Sequence, residues 1–300
     1  MSILIGKSYS TLSAYDVTNQ QVSFDSFRNL NRSIDKSGQL YQFREKGSFE
    51  LEFNYMTNSD YQSLSHILRN RNSMSDGLIF QPIPYAGAAS TILDFNDSRH
   101  KGYYIGSTSN LINAGIPGGS AEFSSGDYNK IKVYNSDKIQ YVGEHNNYVG
   151  FELIFDLSDF LSVFNYKELR RLTLVIHGME TTPVRFAILD QVSGIWFPIN
   201  DCYAYAADLT DSAFYLYRQI VSSLCTPWAT NTLYDNYIAN DGKAHFMVVA
   251  AWPNEIMCLQ YARLFINGYW VAEDEGGGFE NYATAFTGAG RSGTLKLIEL

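Results

Sequence analysis

The chain has few of the residues on which metal and reaction sites are usually built. Only three of its 300 residues are cysteines, and no two have the spacing of metal ligands. The five histidines form no HxH or HExxH pair. No nucleophile elbow, P-loop or dinucleotide fingerprint follows a strand. The sequence therefore predicts no metal site, no cofactor and no enzyme activity, and we expect Cys202, Cys225 and Cys258 to be buried thiols.

Long apolar runs and an excess of basic charge are also missing. No segment approaches the roughly 20 apolar residues of a membrane-spanning helix, and Met1–Lys7 lacks the basic start of a signal peptide. Lys and Arg total 22 against 31 Asp and Glu, so the net charge is −9. Because phosphate binding needs a basic surface, we expect no nucleic-acid partner, and we expect no membrane insertion.

Aromatic and apolar residues are plentiful. The hydrophobic content is 45%, and 22 Tyr and 19 Phe raise the aromatic content to 15%. This composition is typical of β-rich proteins. The acidic excess lies entirely in residues 102–300, which hold 12 basic and 21 acidic residues, whereas residues 1–101 are balanced at ten each. Such asymmetry indicates two units with different surfaces.

The clearest local pattern lies between residues 48 and 83. Ser48–Tyr55 alternates with period two, which predicts a strand with one apolar face. The inward residues of that strand would be Phe49, Leu51, Phe53 and Tyr55. Leu40–Arg44, followed by a glycine-containing turn at 45–47, predicts a hairpin with it. Residues 78–83 read as a further strand.

A helix is predicted between these strands. Ser59–Gln62 has the spacing of a capping box. Apolar residues then recur at helical spacing at Tyr61, Leu64, Ile67 and Leu68. Together with the flanking strands, this helix defines a small α+β unit over residues 1–98.

The remainder of the chain reads as an antiparallel β-sandwich. Strands are predicted at 128–134, 149–157, 172–177, 184–189, 194–199, 245–252, 261–266 and 269–272, with a short helical connection at 158–171. Asn267-Gly268 between apolar runs predicts a hairpin turn. Residues 212–224 fit either a helix or a strand, and the spacing slightly favours a helix.

The last eight residues form a strand, in which Leu295 and Leu297 share a face. Two placements are open: an edge of the sandwich, or a return to the first unit. The second is preferred, so the expected domains are 1–98 plus 285–300, and an inserted sandwich at 99–284.

Tryptophan and tyrosine could serve a carbohydrate ligand, because their rings stack on sugars. Trp196 and Trp252 lie within apolar strands and are expected in the core. Trp228, in a loop-like stretch, and Tyr269 and Trp270, just past the predicted hairpin turn, are the candidates for sugar stacking.

The first unit resembles tail proteins of tailed bacteriophages, of the distal-tail and baseplate type. The resemblance lies in Gly47–Phe53, the helix start at Thr57–Leu64, Gly77–Pro82 and the closing Gly293–Leu300. The second unit is similar to the carbohydrate-binding jelly rolls inserted in such proteins. The resemblance covers about a third of the chain.

The resemblance implies a non-enzymatic structural protein of the virion tail that forms a ring and contacts neighbouring tail proteins. The terminal strand, through Leu295 and Leu297, is a candidate for strand addition between subunits. The alternative function is a carbohydrate-binding module for host-surface glycans. A glycan-cleaving enzyme is a third, weaker alternative.

Overall fold

The computed structural model describes residues 1–7, 11–32, 38–69, 78–107, 121–135, 137–143, 146–169, 171–180, 184–199, 203–206, 215–222, 232–250, 252–273, 278–284 and 288–299, in some strands by their backbone alone. The strands in these residues are β1 (Ser2–Lys7), β2 (Ser13–Asp16), β3 (Asn19–Arg32), β4 (Gly38–Thr57), β5 (Leu78–Gln81), β6 (Ile92–Asp94), β7 (Lys101–Ser107), β8 (Ala121–Glu122), β9 (Ile139–Val142), β10 (Tyr148–Asp156), β11 (Arg171–Glu180), β12 (Val184–Asp190), β13 (Ile195–Ile199), β14 (Tyr203–Ala206), β15 (Tyr215–Ser222), β16 (Lys243–Ala250), β17 (Ile256–Ile266), β18 (Tyr269–Glu273), β19 (Gly278–Thr284) and β20 (Gly288–Glu299). The helices are α1 (Asn58–Arg69), α2 (Ser125–Ile131), α3 (Ser158–Val163) and α4 (Thr232–Tyr237), with 3₁₀ turns at Ala89–Thr91 and Tyr166–Glu168. The predicted mainly-β class is confirmed.

The chain divides into two compact units, Met1–Gly87 with Tyr269–Leu300 and Ala88–Gly268. These boundaries correct the predicted ones at 98/99 and 284/285. Strand β6 precedes residue 98 but pairs with β17 of the second unit, whereas β18 and β19 precede residue 285 but lie in the sheet of the first. Pairing between strands that are far apart in the sequence decides these boundaries, so local composition could not predict them.

The first unit is built on one antiparallel sheet whose two edge strands are joined by a short link. Its strand order is β2-β1-β5-β18-β20-β4-β3, with β19 beside β20. Only Val17 and Thr18 separate the edge strands β2 and β3, which limits the gap between them to about 11 Å. The Val17 N–H donates to the Met1 carbonyl at 2.7 Å and the Thr18 N–H to the Glu52 carbonyl at 2.8 Å. The two edge strands are therefore consecutive segments of one stretch of chain, and we call the sheet joined in this way the closed sheet.

The apolar residues of the alternating segment fill the inside of this closed sheet. Its first three inward residues are each at most 1% exposed: Phe49, Leu51 and Phe53. The prediction is wrong for Tyr55, which is 40% exposed, while Met56 is buried instead. A β-bulge in β4, opposite the segment between Arg291 and Gly293, adds one residue to β4, and this extra residue shifts the alternation by one.

The predicted hairpin at 40–55 is also wrong. Strand β4 runs from Gly38 to Thr57 without a break, and residues 45–47 pair with β3 instead of forming a turn. The hairpin is the one between β3 and β4, and its turn lies outside the described residues. A single glycine between two apolar runs is compatible with a continuous strand when the neighbouring strand continues alongside it.

Helix α1 packs on β4 and β20. Leu64 and Leu68 are buried in the core of the unit, and Tyr61 and Ile67 pack partly buried against it, as the helical spacing predicts. The predicted cap at Ser59 is wrong. Thr57 Oγ1 accepts the Asp60 N–H at 3.1 Å, so the helix begins two residues earlier than the pattern indicates.

The terminal strand β20 lies in the middle of the first unit's sheet. On one side, Leu295 pairs with Leu51 and Leu297 with Phe49. On the other side, β20 pairs with β19 and β18. Both leucines are at most 1% exposed. The chain's last strand therefore closes the fold begun by its first strands.

The second unit is a sandwich of two six-stranded antiparallel sheets. One has the order β13-β12-β16-β10-β7-β8, and the other β14-β15-β11-β17-β6 with β9 beside β17. The inward residues of the predicted strand at 149–157, which corresponds to β10 and the residue after it, are all fully buried: Phe151, Leu153, Phe155 and Leu157. Phe95, which follows β6 of the opposite sheet, brings its ring centroid to 5.3 Å from that of Phe155. Aromatic contact thus joins the two sheets across the core.

Several local predictions in the sandwich are confirmed and two are wrong. The hairpin of β12 and β13 and the helical connection after β10 are as predicted. Residues 128–134 do not form a strand, because Ser124 and Asp127 make a capping box that starts α2. Residues 215–222 form strand β15, which β14 and β11 flank on both sides. Tertiary pairing outweighs the weak helical spacing there.

Asn267-Gly268 is not a hairpin turn. Strand β17 belongs to the sandwich and β18 to the first unit, so the chain changes units at this dipeptide. Asn267 has φ 53° and is fully buried. Its Oδ1 accepts the Arg171 N–H at 3.1 Å, and its Nδ2 donates to the Glu168 carbonyl at 2.6 Å. The Asn-Gly dipeptide therefore adopts the turn-like backbone conformation that the sequence predicts, but the strands on its two sides do not pair with each other.

Leu297→Ala should lower the free energy of unfolding by about 2 to 5 kcal/mol, because it leaves a cavity in the core of the closed sheet. Ile298→Ala is the matched control, since the neighbouring residue is 38% exposed and should cost less than about 1 kcal/mol. Urea unfolding of the full chain measures both. Equal losses would contradict the inward orientation of Leu297.

Asn267→Ala should destabilise the protein more than Asn267→Gly. Both remove the buried side-chain hydrogen bonds, but only alanine must also adopt a positive φ, which costs about 1 kcal/mol more. The same unfolding measurement compares the two variants. An alanine variant as stable as the glycine variant would show that backbone strain plays no part at this position.

Candidate functional site

Only part of the predicted sugar-stacking set lies in described residues, and one member is excluded. Tyr269 is 4% exposed, and its ring centroid is 4.7 Å from that of Phe49 in the first unit's core. A sugar cannot reach this ring, so the prediction for Tyr269 is wrong. The Trp270 backbone pairs with Ile79 on β5, but its side chain lies outside the description, as does all of Trp228.

The predicted assembly strand does not offer an open edge. Leu295 and Leu297 lie on β20, whose described residues pair with β4 on one side and with β19 and β18 on the other. Strand addition needs unpaired N–H and C=O groups. The hypothesis of assembly through this strand is therefore corrected, because the fold of the first unit already uses both edges.

A different segment of the first unit extends beyond the rest of its sheet. Over 25–32 and 38–46, the described parts of β3 and β4 pair only with each other, because the pairing of β4 with β20 begins at Ser48. We call this two-stranded extension the ribbon. At about 3.3 Å per residue, its described arms continue for about 30 Å past the closed sheet.

A two-stranded ribbon is marginally stable by itself in water. Its outer edges present rows of N–H and C=O groups to which a further strand could pair. The ribbon therefore has the backbone geometry of a docking element. Sequence reasoning missed it because the 45–47 segment has the composition of a turn, although the length of β4 follows once residues 38–57 are read as one strand.

The second unit contains a cluster of charged side chains on β10 and β16. His245 Nδ1 is 3.2 Å from Glu152 Oε1, and His245 Nε2 is 3.0 Å from Asp241 Oδ2. The side chains of His245 and Glu152 are each 15% exposed. Gln191 Nε2 donates to the second oxygen of Asp241 at 2.9 Å. The imidazole is thus held between two carboxylates.

Burial and these hydrogen bonds shift the pKa values of His245 and Asp241. Burial opposes the charged imidazolium, but the hydrogen bonds that His245 donates to Glu152 and Asp241 outweigh it, so the pKa of His245 lies above its ordinary value of 6.5. Burial also opposes the charged form of Asp241, but the bond from His245 outweighs it and lowers the pKa of Asp241 below 3.8. Both groups are therefore charged over a shared range of pH.

The cluster stabilises structure better than it could support catalysis. A general base needs one ring nitrogen directed at its substrate, whereas carboxylates occupy both nitrogens of His245. Two carboxylates fit the imidazolium, in which both nitrogens are donors. We therefore assign His245 to holding the turn at Asp241 against β10.

The described residues contain no group of three or more His, Cys, Asp or Glu side chains arranged to hold a metal ion. None of the helices in these residues has the length and apolar character needed to cross a membrane. Cys258 is buried, while Cys202 and Cys225 lie outside the description.

The prediction that Trp252 lies in the core is wrong. Trp252 is 55% exposed, whereas Trp196 is 1% exposed and belongs to the core as predicted. Strand β16 ends at Ala250, so Trp252 lies in the turn before β17. Pro253 and Asn254 follow it in the sequence, and this turn signal could have placed Trp252 outside the strand.

Neither a scan against protein-family models nor a search of curated proteins finds a match.

His245→Gln should reduce stability most between about pH 4 and pH 6.5. Because the folded pKa of His245 is raised, its contribution is full below 6.5 and is lost as pH rises through the folded value. The contribution of Asp241, whose folded pKa is lowered, is lost as pH falls through its folded value below 3.8. Urea unfolding of wild type and variant across pH 3 to 9, spanning these values, measures the difference.

Asn240→Ala is the control for this experiment. Asn240 Nδ2 donates to the Gln191 carbonyl at 2.9 Å beside the same turn and carries no titrating group. Its loss of stability should be the same at every pH. A His245→Gln difference that is equally flat would contradict the ion-pair role.

Proposed function

We propose that the protein is a structural component of a bacteriophage tail, of the distal-tail or baseplate type, that assembles into a ring and contacts neighbouring tail proteins. The ribbon carries this proposal. It extends a closed, well-packed unit with backbone that is paired only within itself, and such an element is completed by docking on another chain. The proposed location is the virion tail, and no catalytic role is assigned.

The division of the chain into two compact units supports separate roles for them. Strands β5 and β18 are antiparallel neighbours in the first unit, with Tyr269 opposite Phe80. The chain therefore leaves for the sandwich and returns from it on adjacent strands. An insertion of this kind can vary without altering the unit that carries it. We assign assembly to the first unit and an accessory role to the sandwich.

Charge supports the same assignment. Ala88–Gly268 holds 12 basic and 18 acidic residues, a net charge of −6, and the remainder holds 10 basic and 13 acidic residues, a net charge of −3. Like charges oppose close packing of copies through the sandwich more than through the first unit. We further propose that the sandwich is of the jelly-roll type, since successive strands alternate repeatedly between its two sheets.

Removing the ribbon should abolish assembly without unfolding the protein. Replacing residues 25–46 with Asn-Gly joins the paired residues Phe24 and Gly47 through a two-residue turn. Native mass spectrometry and negative-stain microscopy should show closed oligomers for the wild type and monomers for the variant. Far-UV circular dichroism and thermal unfolding should show that the variant retains its β-sheet core.

Val192→Asp is a control for this deletion, because it changes a 72%-exposed residue at a hairpin tip of the sandwich. It should assemble like the wild type. A wild type that stays monomeric at the highest attainable concentration, or a ribbon-deleted protein that still forms rings, would refute the assembly proposal. The tail assignment has its own test: antibodies against the chain should label one end of the tail in the phage particle that encodes it.

A further inference from the structure

An exposed tryptophan lies on a braced turn at one end of the sandwich. Trp252 is 55% exposed, which leaves a large apolar ring in contact with water. No residue in the described part of the chain forms a hydrogen bond or ring contact with its indole. Nearby in sequence, Ile256 pairs with Val142 across β17 and β9, and these two side chains are 36% and 45% exposed. Exposed apolar side chains therefore lie both on this turn and on the strands β17 and β9 that adjoin it in the sequence or by pairing.

The loop before β10 holds this turn in a single arrangement. The Asn146 N–H donates to Asn254 Oδ1 at 2.7 Å, and Asn254 Nδ2 donates to Asn146 Oδ1 at 3.1 Å. The Asn254 N–H also donates to the Asn147 carbonyl at 3.0 Å. Both Asn146 and Asn254 have φ 63°, a conformation that asparagine tolerates better than most residues. The turn that carries Trp252 is thus bonded side by side to the loop before β10.

Close packing reinforces these bonds. The Gly143 N–H donates to the Glu255 carbonyl at 2.7 Å. A Cβ added at Gly143 would lie 2.8 Å from the Asn147 carbonyl oxygen and 3.2 Å from the Asn254 Cα. Only glycine fits between the two loops at this point. A surface loop held this firmly loses little conformational entropy when a ligand binds.

We propose that Trp252, together with the amide pair of Asn146 and Asn254, forms a binding site for a neutral carbohydrate. The indole offers a face on which a pyranose ring can stack. The mutual bonds use one N–H of Asn254 and leave its second N–H and the NH₂ group of Asn146 as donors for sugar hydroxyls. An apolar platform beside oriented amides is the chemistry of a sugar site.

Charge and size favour this ligand over others. Residues 139–149 and 250–258 contain no Lys or Arg, so an anionic ligand such as a phosphate or sulfated glycan finds no counter-charge. One indole with two neighbouring aliphatic side chains is much smaller than the roughly 800 Å² per partner of a standard protein interface. The site suits one or two sugar rings. It does not depend on ring assembly or on the tail assignment.

The test uses the full-length protein and defined probes: cellohexaose, maltohexaose, chitohexaose and a β-1,6-galactan hexamer. Saturation-transfer NMR and tryptophan fluorescence titration should detect binding of at least one. Trp252→Ala should weaken that binding by about tenfold or more, because it removes the stacking surface. Asn254→Gly retains the positive φ and should weaken binding less.

Tyr166→Ala is the matched control, since it removes a 41%-exposed aromatic ring elsewhere on the sandwich, and it should leave affinity unchanged. Absence of binding to every probe, or equal affinity of Trp252→Ala and wild type, would overturn the proposal. So would a Trp252→Ala protein whose only change is a smaller oligomer, because Trp252 would then be a contact between protein chains. Failure of ring assembly alone leaves this site intact, and the two proposals therefore fail separately.

Discussion

The pairing of β20 with β4 is the constraint on which the first unit depends. Leu295 opposite Leu51 and Leu297 opposite Phe49 bring the last strand of the chain into the middle of the sheet formed by the first. Without β20, β18 would have no neighbour on that side and the core would lose two fully buried leucines. Because this pairing joins residues separated by more than 200 positions, the closed sheet can form only after both ends of the chain are available.

The same closure explains why function is assigned to the ribbon. Strand β20 is paired on both sides within the sheet, whereas the described extension of β3 and β4 pairs only within itself, so docking is assigned to this extension. The sandwich is linked to adjacent strands of this sheet through β5 and β18. Its inserted position lets it carry a separate activity, for which Trp252 on its braced turn is the proposed centre.

Many local elements were predictable from the sequence, whereas their partners were not. Period-two alternation identified the inward residues Phe49, Leu51 and Phe53, and helical spacing identified the inward face of α1. The bulge that exposes Tyr55 depends on the partner strand, so no pattern within β4 could reveal it. Residues 215–222 are a strand because β14 and β11 flank them. In each case a contact with a distant segment decided between two locally acceptable structures.

For the candidate sites, too, the sequence identified residue types, whereas the tertiary structure decided their surroundings. Aromatic residues of similar sequence character ended in opposite environments: Tyr269 in the core of the closed sheet, Trp252 at the surface of a turn. The sequence by itself determined the mainly-β class, the acidic character and the absence of known reaction motifs, because composition and short-range periodicity are properties of neighbouring residues. Only the tertiary structure decided where the domains divide, which strand edges are used and which rings meet water. Those outcomes depend on pairings between distant segments, and a local pattern contains no information about its partner.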